Sequence, residues 1–215
     1  MTTPTVHENA SKSARELVVL VHGFACHRAF MWHLGRRLRQ AGFATFNWGY
    51  PSFGESVERL ARRFRRQLEE LAEQGDVLHV VAHSMGGIIV RLALSYDRFP
   101  NLGRIVLLAP PNHGSPAARV LSRVVRRVWP PMWELSDHPD SLVNRLAAPP
   151  ELQIGIIAAR FDSVVPLAST MLDGQTDHIC LPATHTSLLF QKSAAKQVCS
   201  FLSTGRFQHE RKPDR

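Results

Sequence analysis

Residues 80–90 read VVAHSMGGIIV, an apolar strand pattern that ends at Ala82 and an apolar helix pattern that starts after Ser84. A serine between the two stands on a sharp strand-to-helix turn, the arrangement of a nucleophile elbow. There the positions two before and two after must be small, because strand and helix cross at that point. Ala82 and Gly86 occupy them, so the stretch departs from G-x-S-x-G by one methyl group at the first position. At a helix start Ser84 also meets unpaired backbone N–H groups and the positive end of the helix dipole, and both favour a developing negative charge. The plainer alternative is a serine that only caps the helix.

Outward from this turn, short β-branched runs alternate with longer helical patterns. The run at 16–21, ELVVLV, is apolar almost throughout, as a strand covered on both faces is. Further runs at 44–48, 77–82, 104–109, 153–158 and 177–181 bring the expected strands to six. Between the second and third, Val57, Leu60, Ala61, Phe64, Leu68 and Leu71 fall on one helical stripe while Glu and Arg fill the other side. Parallel neighbours need a crossover and the crossover is usually a helix. The pattern therefore predicts an α/β fold, a mainly parallel sheet with helices on both faces.

The chain has 215 residues, 44% of them hydrophobic and 20% charged, which suits one domain with one substantial core over residues 16–203. Residues 1–15 and the polar tail 204–215 are expected to be disordered. Neither a signal peptide nor a long apolar span is visible, so a cytoplasmic protein is expected. Cys26, Cys180 and Cys199 form no C-x-x-C pair and read as buried or half-buried free thiols. The 11 histidines include no H-E-x-x-H, and no metal is expected. The net charge of +8 comes from arginines at helical spacing in three groups, 36–39, 59–66 and 119–127. Solvated helix faces account for them better than a nucleic-acid surface, which would need a continuous basic face and a reading element. Attraction to an anionic surface stays open.

With AHSMGG at 82–87 and HGF at 22–24, the sequence resembles the α/β-hydrolase superfamily, and its small bacterial lipases and esterases in particular, from residue 16 to about 202. The resemblance implies the chain order nucleophile, acid, histidine, and no cofactor. It implies an oxyanion hole made by the backbone N–H of Met85 and that of Phe24, with His22 bracing the loop. It places the acid just past a late strand, where GIIAARFDSVVP offers Asp162; Asp137, Asp140, Asp173 and Asp177 compete but follow no convincing strand. It places the histidine after the last strand, at His185 in LPATHTSLLF, while His178 lies inside that strand and points to one sheet face. Ser84, Asp162 and His185 are thus the expected catalytic residues.

The activity implied is hydrolysis of a small-molecule acyl ester through an acyl-enzyme on Ser84. Thioester cleavage, acyl transfer and a catalytically silent binding scaffold are the alternatives. In LLAPPNHGSPAA, residues 107–118, Ser115 and Pro116 suit a helix start, and His113 reads as structural. Residues 115–150 lie where this family often inserts a small cap. Phe24, Trp129, Met132 and Trp133 are candidates for the wall of an acyl pocket, with ordinary core packing the alternative for the last three. Along 117–129, Ala117, Leu121, Val124 and Val128 share one helical face and Arg119, Arg123 and Arg126 another. A helix packed on the body is the expectation, since a small domain needs its amphipathic helices to cover its sheet; one resting on an anionic membrane surface is the rival.

Overall fold

A computed structural model describes residues 16–73, 77–95, 99–125, 127–147 and 152–209. The expected disorder of residues 1–15 falls outside the described residues. All six apolar runs form strands: β1 (Glu16–Val21), β2 (Ala44–Trp48), β3 (Val77–His83), β4 (Leu102–Leu108), β5 (Ile154–Ala159) and β6 (Asp177–Leu181). Between and after them stand α1 (Trp32–Gln40), α2 (Val57–Ala72), α3 (Met85–Ala93), α4 (Pro116–Val125), α5 (Pro131–Glu134), α6 (Leu142–Arg145), α7 (Leu167–Thr170) and α8 (Lys192–Thr204). The strands pair in parallel in the order β2-β1-β3-β4-β5-β6.

Alternate strand residues point to opposite faces, and each face has its own helices. Val19, Val21, Val80 and Ala82 join a cluster that contains the whole apolar stripe of α2 and most of α3. Val18, Leu20 and Val81 join a second cluster with Leu34 and Leu38 of α1 and Val198, Phe201 and Leu202 of α8. Because β3 lies between β1 and β4, the turn after it opens near the middle of the sheet's carboxyl edge. Ligands bind there in open α/β sheets.

Three expectations are corrected. The tail from Thr204 does not run free at once: Phe207 is buried against Phe201, its N–H donates to Asp177 Oδ2 at 2.8 Å, and Gln197 and Gln208 exchange two hydrogen bonds. One aromatic in a polar run suffices to fasten it as far as His209, which pairs with Asp177. The apolar face of α4 is the second correction. The helix starts at Pro116, with Ser115 Oγ accepting from the Ala118 N–H, yet it ends at Val125, short of Val128, and the residues it buries are Ala118 and Ser122. Val120, Val124 and Val128 are 63%, 85% and 68% exposed. Cys180, on the edge strand, is exposed as well, whereas Cys26 and Cys199 are half-buried. Among the described residues no helix is long and apolar enough to cross a membrane.

The segment from α4 to α6 is tied to the body by polar groups. Arg91 of α3 is buried and donates to Asn112 Oδ1 at 3.0 Å and to the Leu146 carbonyl at 2.9 Å, while Asn112 donates to the Thr170 carbonyl. Glu134 of α5 accepts the first N–H of α2, that of Val57, at 2.8 Å. Burial raises the Glu134 carboxyl from 4.5 to about 7; the Val57 bond opposes this, and the Glu58 charge adds to it. A carboxyl with a raised folded-state value holds its proton more tightly when folded, so its contribution to stability falls as pH rises from 4.5 through about 7. Glu134→Gln keeps an acceptor for Val57 and removes the buried charge. It should therefore raise the melting temperature at about pH 8, by roughly 2–4 °C for each kcal/mol removed, and change little at about pH 4.5. Thermal melts of both proteins across that range check this.

Candidate active site

At the end of β3 the backbone turns sharply at Ser84, with φ 52° and ψ −125°. Such a conformation costs a non-glycine residue about 1–3 kcal/mol and persists only where its surroundings fix it. Here they do. The Ser84 N–H donates to the Leu108 carbonyl of β4 at 2.8 Å, and its carbonyl accepts from Gly87 at 2.9 Å. A Cβ on Gly86 would sit 2.5 Å from the His22 carbonyl oxygen and 2.8 Å from that of Val21. A Cβ on Gly23 would lie 3.0 Å from Ser84 Cβ. Small residues are thus needed where the end of β1 meets the turn.

Three side chains from three carboxyl ends meet at this turn. Ser84 Oγ donates to His185 Nε2 at 2.9 Å, and His185 Nδ1 donates to Asp162 Oδ2 at 2.7 Å. Asp162 follows β5 and His185 follows β6. The other carboxylate oxygen, Oδ1, accepts the N–H groups of Val164 and Val165, each at 2.8 Å. Burial works to raise the Asp162 carboxyl, but the His185 bond, the two backbone donors and attraction to His185 outweigh it and hold it below the ordinary range. It is therefore ionised at neutral pH. Among the competing acids, Asp137 pairs with Arg119, and Asp177 holds the chain end. His178 bonds Thr170 Oγ1.

The cleft beside Ser84 has a volume of about 230 Å³ and a mostly apolar wall that includes Phe24, Ala118, Leu121, Met132, Leu135 and Val164. The other two aromatic candidates stand elsewhere. Trp129 lies behind Phe24 in a three-ring group with Phe53, and Trp133 packs on His138 instead of the cleft. The short α5 turns Met132 and Trp133, adjacent in sequence, to different sides. His22 is buried, stacked on Tyr50 with centroids 4.0 Å apart, and donates from Nδ1 to the Gly23 carbonyl at 2.9 Å, so it braces the loop that carries Phe24.

Sequence reasoning missed His83. It is buried beside the serine, and its Nε2 lies 3.0 Å from the backbone carbonyl of His185. Burial, then repulsion from His185, lowers its value to about 3, so the ring is neutral and must carry its proton on Nε2 to donate. The only signal was a histidine directly before the serine in AHSMGG, and no helix or strand periodicity marks it as polar.

The sequence pattern described as the alpha/beta hydrolase family matches residues 18–196. The chain belongs to this family. A curated relative, Methylesterase 7 from Arabidopsis thaliana, is 32% identical over 135 residues, which are 57% of this chain and 51% of that one. The match thus spans about half the length of the plant protein. Among solved structures, the mature Bacillus licheniformis lipase BlEst2 superposes with a TM-score of 0.74 over 94% of this chain and 96% of its own, at 14% identity. A Paleococcus ferrophilus monoacylglycerol lipase does so with a TM-score of 0.62 over 89% and 96%, at 19% identity. At these identities the likeness is one of fold in an alpha/beta hydrolase.

For this hydrolase, His83→Phe keeps a ring of similar size but leaves the His185 carbonyl without its donor. We expect kcat to fall by about tenfold or more with KM little changed, since small displacements of a reacting group are costly. His83→Gln, which keeps an N–H, should lose less. Steady-state kinetics on a chromogenic ester, with melting curves to confirm folding, check both.

Proposed function

We propose that the protein hydrolyses carboxylic esters through an acyl-enzyme on Ser84. The observation that carries this reading is the hydrogen-bonded chain from Ser84 through His185 to an ionised Asp162, in a cleft with an apolar wall. The ester-cleaving names of the plant relative and of the lipases that share the fold support it.

Ser84 Oγ attacks the acyl carbonyl and its proton passes to His185 Nε2, whose lone pair already faces it. Asp162 holds the tautomer with its proton on Nδ1 and stabilises the imidazolium that forms. The oxygen of the tetrahedral intermediate takes hydrogen bonds from the N–H groups of Phe24 and Met85; one such donor is typically worth about 2.7–4 kcal/mol in the transition state. His185 then returns the proton to the departing alkoxide, which leaves as the alcohol. Water, activated by the same imidazole, releases the acid and restores Ser84. The cleft, smaller than the roughly 300–1,000 Å³ of drug-sized sites, suits a short or medium acyl chain.

Ser84→Ala should reduce hydrolysis of p-nitrophenyl esters to background while leaving the melting temperature unchanged, and a fluorophosphonate should label Ser84 alone. Asp162→Asn should lower turnover by about four orders of magnitude without a matching rise in KM, because the carboxylate acts on the imidazolium of the transition state. More than a tenth of wild-type activity in Ser84→Ala would remove this residue from the role.

A further inference from the structure

The outward face of α4 is apolar, basic and placed at the mouth of the cleft. Val120 and Val124 of α4, and Val128 in the turn after it, are well over half exposed, and Leu121 of α4 is both 39% exposed and part of the cleft wall. Val164, from the loop that carries Asp162 and bonded to Ser115 at the base of α4, is likewise exposed and wall-forming. Arg123 and Arg127 are exposed on the same segment, and among the described residues neither forms an ion pair, whereas Arg119 is engaged by Asp137. Valines left in water beside free guanidinium groups match a surface that offers hydrocarbon just below a layer of negative charge.

We infer that this face docks the protein on an anionic phospholipid surface, with the cleft mouth against the lipid, so that the ester is drawn from the membrane and not only from solution. Docking itself does not depend on the esterase reading; the delivery of an ester rests on it. Other occupants fit worse. Residues 1–15, MTTPTVHENASKSAR, and 210–215, ERKPDR, offer too few apolar side chains to cover three valines. A second copy would bring another Arg123 and Arg127 into the same interface, and the chain as a whole carries a net charge of +8. Anionic lipid supplies the opposite sign and a hydrocarbon layer together.

The test uses full-length Ser84→Ala protein, which cannot consume lipid, and vesicles of equal parts phosphatidylcholine and phosphatidylglycerol beside vesicles of phosphatidylcholine alone. Co-sedimentation should show binding to the anionic vesicles, several-fold weaker binding to neutral ones, and weakening as salt rises. Val124→Glu with Val128→Glu should reduce binding to the anionic vesicles by about tenfold or more. Arg123→Gln with Arg127→Gln should remove most of the salt dependence. In the Ser84 background, the valine variants should hydrolyse a dissolved p-nitrophenyl ester at the parent rate and lose activity only on an ester embedded in the anionic vesicles. Equal binding by parent and valine variants, or no binding by the parent, overturns the docking face. So does a dimer in sedimentation velocity that the valine substitutions split, which would assign the face to a second copy. Failure of the esterase reading shows separately, as vesicle binding without hydrolysis of the dissolved ester.

Discussion

The close approach of β1, β3 and α3 around Ser84 governs the rest of the site. The backbone at Ser84 holds φ 52°, and the carbonyls of Val21 and His22 occupy the space that any side chain at Gly86 would need. This crowding is set by the sheet register: Val21 pairs with Ala82, so the chain leaving β1 runs past the turn after β3 at contact distance. The loop carrying Gly23 and Phe24 must then lie beside the serine. Ala25 and Ala109, the other two non-glycine residues at positive φ among the described residues, sit just past β1 and β4. Backbone strain is thus gathered along one edge of the sheet, where neighbouring strands fix it.

Buried polar groups hold that edge, and burial sets their charge. His83 lies between the serine turn and the His185 loop, with ring centroids 4.9 Å from those of His185. Neutral, it donates to the loop and does not oppose a positive charge on His185; protonated, it would do both harm to that charge and to itself, since it is fully enclosed. Arg91 serves the opposite purpose. It stays cationic despite a value lowered by burial to about 10, and two backbone carbonyls and the side-chain amide oxygen of Asn112 accept hydrogen bonds from it. The charge therefore fixes loops without pairing to a carboxylate that could compete with Asp162.

What was legible in the sequence follows from what periodicity and spacing encode. The four inner strands announced themselves as short apolar runs because both sheet faces are covered there, and Ser84 did so because a strand and a glycine-bearing helix flank it. Asp162 and His185 were reached through a family resemblance that orders the residues along the chain, and the structure brings both to Ser84. The helical pattern at 117–129 showed neither that α4 stops at Val125 nor how the helix is rotated against the body. Its buried line runs through Ala118 and Ser122, nearly half a turn from the midpoint of Val120 and Val124 at about 100° per residue. The anchoring of Phe207, and the choice between pocket wall and packing for Trp133, were not legible for a related reason: where a single aromatic turns depends on its neighbours, here Phe201 and His138.

The small inward residues of α4 also explain how its outer face relates to the chemistry. Ala118 and Ser122 let the helix axis come close to the body, which places Leu121 in the cleft wall and leaves the valines beyond it outside. Ser115, at the start of this helix, donates from Oγ to the Val164 carbonyl at 2.6 Å, and the Val164 N–H donates to Asp162 Oδ1 at 2.8 Å. One peptide unit on either side of Val164 therefore joins the base of α4 to the acid that orients His185. The helix that carries Val120 and Val124 is hydrogen-bonded at its base into the loop of Asp162. The exposed face and the Ser-His-Asp chain are thus two ends of one short line of contacts, and the cleft opens between them.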